Sequence, residues 1–242
     1  MADTRLPNMT TLALVTAIAT VIILLMATMG FRMEWWGYSG SLTVLRVAVS
    51  VGIIAMLLAV IGIFNSWTGR RRPGLARGVI ALLIVAPTLV TPLYWSYSKS
   101  TLPPIQDIST DLESPPEFWD SPTSRIYPGE AVAKQQREAF PDIQPLFLSS
   151  PMTPLFDQIL TLVRERGWML VAAERDEGRI EATVTTFWYG FKDDVVFRLT
   201  QLDAAVRVDM RSTSRFGSGG DGGSNAQRIR AFLAELKQRM AH

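Results

Sequence analysis

A chain of 242 residues has room for one membrane anchor and one domain of ordinary size, and its formal charge of +2 hides a sharp division near Tyr97. Up to that point seven arginines stand against Asp3 and Glu34, whereas from Ser98 onward 17 basic residues face 20 acidic ones. The basic charge belongs to the apolar half, where membrane topology accounts for it, so it is no signature of nucleic-acid binding. With no cysteine and His242 as the sole histidine, disulfides, haem attachment, iron–sulfur clusters, zinc sites and His-based Ser or Cys catalysis drop out together. No cofactor and no metal site is expected.

Three apolar runs come first, Thr10–Phe31, Leu42–Phe64 and Gly78–Tyr97, each near the roughly 20 residues that a helix needs to span a bilayer. The third contains Pro87 and Pro92, which predict a kink. The connection from Asn65 to Arg77 carries Arg70, Arg71, Arg72 and Arg77, against only Arg32 with Glu34 in the first loop. Basic clusters stay in the cytoplasm, which puts the N-terminus with Arg5 inside and everything after Tyr97 outside; in a Gram-negative inner membrane that is the periplasm. Trp35 and Trp36 in the first loop and Tyr94–Tyr97 at the end of the third run then share the outer interface, where amphipathic rings prefer to sit. Arg46 lies inside the second run, to be read as snorkelling to headgroups or as meeting another subunit.

Residues 98–150 form a Pro-rich stretch that excludes a regular helix or a central strand. Its Ile105, Ile108, Leu112, Phe118, Trp119, Ile126 and Tyr127 are too apolar for a solvated tether, so an extended arm packed on the domain or on a partner is expected, with a short helix over 131–140. Residues 151–242 read as an α+β domain. Thr153 and Pro154 open a helix that Gly167 stops, strands follow near 168–173, 180–186, 195–200 and 206–211, and Lys192-Asp193-Asp194 forms a turn. A last helix from about Asn225 carries Ile229, Phe232, Leu233, Leu236 and Met240 as one stripe. The expected fold is thus an all-α anchor of three transmembrane helices plus a four-stranded antiparallel sheet, with two helices on one face and the other face left polar.

The blocks Pro104–Asp111, Phe187–Val195 and Asp209–Arg215, with Asn225 and Arg228–Leu233, resemble a bacterial protein family catalogued as domain of unknown function 1499. The resemblance covers roughly Pro103 to Met240 and implies a shared fold unit without an assigned activity.

Four groups of residues are candidates for function. The run Gly217–Gly223 before the last helix lacks a Lys-Ser/Thr ending, so it is a loop, or, with Arg211 and Arg215, an anion site at a helix N-terminus. Asp107, Asp111 and Glu113, and the pair Asp193-Asp194, match no calcium-loop spacing and read as turn and cap residues. Phe187, Trp188, Tyr189 and Phe191 put at least one large ring outward, giving with Trp35 and Trp36 a partner-binding surface. The expected function is a non-enzymatic accessory or stabilising subunit of a larger inner-membrane complex, respiratory or photosynthetic. Its partners would be membrane lipids and other integral membrane subunits. The alternatives are a periplasmic carrier for an apolar ligand and an enzyme built on Asp107, Asp111, Arg211 and Arg215.

Overall fold

Backbone amides in an apolar stretch find partners only within the segment itself, and all three runs are helical throughout. The computed structural model describes residues 9–68, 72–123, 126–216 and 219–241, so Arg5, Arg70, Arg71, Gly217, Ser218 and His242 lie outside the described residues. Helices α1 (Met9–Arg32), α2 (Tyr38–Thr68) and α3 (Arg72–Thr101) are each long and apolar enough to cross a membrane. They extend past the expected ends, because polar residues at a helix terminus keep their backbone bonds whether or not they lie in hydrocarbon. α3 runs through Pro87 and Pro92 as one helix. The chain divides into two units, Met1–Tyr97 with Trp188–Gly190, and Ser98–Phe187 with Phe191–His242.

Small residues let the three helices approach closely. Ala13, Ala17, Ala55, Ala59, Ala81, Val85 and Leu89 form their common core. Ser41 donates its hydroxyl to the Ala27 carbonyl at 2.9 Å at one end of the α1–α2 pair, and Gly62 receives the Thr10 methyl at the other. Gly52 faces Leu89 and Gly78 faces Ile63, while Arg77 donates to Thr11 Oγ1 at 3.2 Å. The helices therefore alternate in direction, with α1 and α3 starting at the same end. Thr16, Thr20 and Thr28 return their hydroxyls to carbonyls three or four residues back, which satisfies them without water.

The second unit continues with β1 (Asp107–Ser109), α4 (Glu130–Ala139), β2 (Leu146–Leu148), α5 (Met152–Glu165) and β3 (Met169–Glu174). It ends with β4 (Arg179–Thr185), β5 (Lys192–Gln201), β6 (Val206–Ser214) and α6 (Ser224–Met240). The sheet is antiparallel and has six strands, not the expected four. Its order is β1-β6-β5-β4-β3, with β2 also on β6. The two additional strands come from the Pro-rich stretch, where three-residue strands are too short to show a period. β1 pairs with Arg211–Thr213 and β2 with Val206–Val208, so both share one edge of β6.

The other boundary corrections have local causes. α5 begins at Met152 behind Pro151 without a side-chain cap, so Thr153 and Pro154 lie inside its first turn. Gly167, at φ 67°, ends it as expected. Lys192, Asp193 and Asp194 open β5 and do not form a turn; the turn is residues 186–191, where Thr186 N–H bonds the Phe191 carbonyl at 2.8 Å. Two adjacent aspartates looked like turn residues only because their arginine partners are distant in sequence.

Period-two alternation gives the sheet two unlike faces. Ile180, Ala182, Val195, Phe197, Val206, Val208 and Met210 point toward α5 and α6, whose Phe156, Ile159, Val163, Ile229, Phe232 and Leu236 fill the layer. Phe197 and Phe232 meet at 4.6 Å between centroids, and Trp168 stacks on Phe232 at 5.4 Å.

Candidate functional site

The second face of the sheet is polar, as expected, but it is not left open. In register across it run Thr183, Asp194, Thr213 and Asp107, then Glu181, Val196, Arg211 and Ser109, then Arg179, Arg198 and Asp209. Residues 110–123 and 126–128 of the arm lie over these rows, and Asp194, Asp209, Glu181 and Arg211 are buried to within 1%. Burying a charge is costly unless it is paired and hydrogen-bonded, and each of these is.

Arg211 is the centre of the layer. Its Nε and Nη2 fork onto the Asp107 carboxylate at 2.9 and 2.7 Å, and Nη1 donates to the Pro116 carbonyl at 3.0 Å. Its guanidinium lies 4.9 Å from the Phe118 ring centroid and 5.5 Å from that of Tyr127. The planar bidentate fork and the stacked rings are both features that an arginine meets and a lysine does not. Burial, with the nearby Asp107 carboxylate, pushes the Tyr127 hydroxyl well above the ordinary tyrosine range.

Asp111 joins two strands to the arm. Its Oδ2 accepts from Arg198 at 2.8 Å and from Arg207 at 2.7 Å, and its Oδ1 accepts the N–H groups of Glu113 and Ser114, both at 3.0 Å. Burial raises its carboxyl, but these amides and the two guanidiniums outweigh burial and hold it below the ordinary range. Both arginines also reach Asp209, which in turn accepts the Thr110 hydroxyl at 3.2 Å.

Two further anchors were not apparent in the sequence. Glu181 accepts the consecutive N–H groups of Trp119, Asp120 and Ser121 at 2.7, 3.2 and 2.8 Å, and the Arg179 guanidinium at 2.7 Å. The backbone of the arm here forms an anion-binding concavity, and the chain fills it with its own carboxylate. Gln136 on α4 pairs with Ser109 as another strand would, accepting its N–H at 3.0 Å and donating to its carbonyl at 2.6 Å. The only sequence signal for either was the density of apolar residues in a Pro-rich segment. Of these, Ile105, Ile108 and Phe118 are buried, whereas Trp119 and Ile126 are exposed.

Arg211 and Arg215 leave β6 on the face opposite α6. Both are paired there with carboxylates of the sheet, Arg211 with Asp107 and Arg215 with Asp194. Arg215 forks onto Asp194, with Nε and Nη2 both at 2.7 Å. The N-terminus of α6 holds Asp221, whose carboxylate accepts the N–H groups of Gly223 at 2.8 Å and Asn225 at 2.6 Å. Burial pushes that carboxyl above its ordinary range. The loop needs its glycines: at Gly220, with φ +83°, a Cβ would stand 3.0 Å from the Pro103 carbonyl oxygen. Asp193 pairs with Arg228 beside this loop, on the helix-covered face.

Of the aromatic candidates, Trp35 is 61% exposed, whereas the Trp36 ring lies on Gly30 and Gly40, where an added Cβ would strike it. Phe187 and Trp188 are exposed, and Tyr189 and Phe191 are half-buried. Among the described residues no group of three or more His, Cys, Asp or Glu is placed to hold a metal ion.

The family model described as "Protein of unknown function (DUF1499)" matches residues 107–236, from the first residue of β1 to the last turns of α6. No curated protein matches the chain.

Proposed function

For a chain that belongs to the DUF1499 family over residues 107–236, we propose the role of a non-enzymatic accessory or stabilising subunit of a larger membrane assembly. Its helices would lie in the inner membrane and its family domain on the periplasmic side. One observation carries the reading. The groups best suited to acid–base or anion chemistry, Asp107, Asp111, Arg211 and Arg215, are each closed by a partner from the same chain. A carboxylate held between two arginines, or an arginine forked on a buried aspartate, has its charge already engaged within the chain. Their geometry serves to fasten the arm to the sheet. Trp35, Phe187 and Trp188 are among the large rings exposed on the surface.

The test is purification of the full chain from native membranes in a mild detergent, with the accompanying proteins identified by mass spectrometry. The expected result is an integral membrane protein in fixed ratio to this chain. Recovery of the chain alone under every mild condition would overturn the reading.

A further inference from the structure

One outward line of α2 changes chemistry along its length. Spaced by three and four residues, as neighbours on one helix face are, Ser39, Thr43, Arg46 and Ser50 are all exposed. Farther along the same line Ile54, Leu57 and Ile61 are exposed as well. Arg46 is the single charged residue of the helix. Among the described residues no carboxylate pairs with its guanidinium, and Glu34 is the one acidic side chain described up to Tyr97. Thr43 and Ser50 return their hydroxyls to the Ser39 and Arg46 carbonyls, each at 2.9 Å. Those two hydroxyls therefore need no external partner, whereas the guanidinium does.

The depth of Arg46 selects the partner. α2 has 31 residues, about 46 Å of helix against roughly 30 Å of hydrocarbon. With the surplus shared between its ends, Arg46 lies about one turn inside the apolar layer. A helical side chain leaves its backbone tilted toward the N-terminus, here the Tyr38 end, so the guanidinium reaches back toward the headgroups. Exposed Trp35, three residues before the helix, marks the same interface. Every phospholipid carries a phosphate at that level. A carboxylate on a neighbouring helix has to leave water to get there.

We propose that this face of α2 is a binding site for an anionic diacyl phospholipid, with the phosphate on Arg46 and an acyl chain along Ile54, Leu57 and Ile61. A guanidinium fork suits phosphate oxygens, and the apolar line continues in the direction that the acyl chain takes. The inference uses the helices alone and does not depend on a partner subunit.

The test is native mass spectrometry of the full chain in detergent, titrated with dioleoyl-phosphatidylglycerol or with dioleoyl-phosphatidylcholine. The expected result is tighter retention of the first phosphatidylglycerol than of phosphatidylcholine. R46L is expected to remove that preference and to weaken phosphatidylglycerol about tenfold, the low end of what a charge-assisted hydrogen bond contributes. R46K keeps the charge and is expected to keep the preference, which separates a lost phosphate contact from a damaged anchor. K237M, which removes a cation far along the chain from the helices, is expected to bind as wild type does. Equal retention by wild type and R46L overturns the proposal, as does equal retention of the two lipids by wild type. A dimer that R46L dissociates also overturns it, because Arg46 then meets a second copy instead of lipid.

Discussion

Asp107 and Arg211, 104 residues apart, close a bidentate ion pair in which the arginine is 1% exposed and the aspartate 6%. The pair ties the first residue of β1 to the middle of β6, and with Phe118 stacked on the guanidinium it fixes the arm over the sheet. A buried pair of this kind adds little net stability over apolar residues of the same shape, but breaking it leaves a charge with no water.

Asp107→Asn is therefore expected to destabilise the family domain by about 3–5 kcal/mol, since Arg211 keeps its charge in a dry site. The double replacement Asp107→Leu with Arg211→Met is expected to cost markedly less than the single one. Urea unfolding of the full chain in detergent, followed by near-ultraviolet circular dichroism, measures both. Equal losses for the single and double variants would refute the argument.

Glu181→Gln keeps the shape but gives up a carboxylate that accepts three backbone amides and an arginine. Charge-assisted bonds are each worth about 1.5–3 kcal/mol. The arm is expected to open locally at 118–121 before the rest of the domain. Hydrogen exchange with mass spectrometry should show faster exchange of the Trp119–Ser121 amides while β5 and β6 stay protected.

Two aspartates should respond to pH with opposite signs. Asp111 is held below its ordinary value of 3.8, so its contribution is present above that value and is lost as pH falls through the depressed folded value. Asp221 is raised above 3.8 by burial, so its contribution is present below that value and is lost as pH rises through the folded value. The stability gap between wild type and Asp111→Asn should accordingly shrink on acidification, while the gap to Asp221→Asn should shift in favour of wild type. Parallel unfolding titrations from neutral pH to about pH 3 compare the two directly.

The orientation read from the arginines predicts that a cysteine replacing Asp176, on the exposed β3–β4 turn, reacts with a membrane-impermeant maleimide on intact spheroplasts. A cysteine at Thr4 should react only after lysis. Labelling in the opposite order would reverse the assigned topology.

Hydropathy and period by themselves determined the three long helices, the alternating strands from Arg179 to Ser214 and the stripe of α6, because those signals repeat over many residues of one segment. The six-strand count, the buried ionic layer and the roles of Asp193, Asp194, Arg211 and Arg215 were decided only by tertiary structure. A three-residue strand has no period, and Arg207, Asp209 and Arg211 alternate with apolar residues as a solvent-facing row would. Whether such a row meets water or a covering arm depends on Asp107, Asp111 and Phe118, about a hundred positions earlier in the chain. Local sequence fixes which way a side chain points, and only the return of a distant segment decides what it meets there.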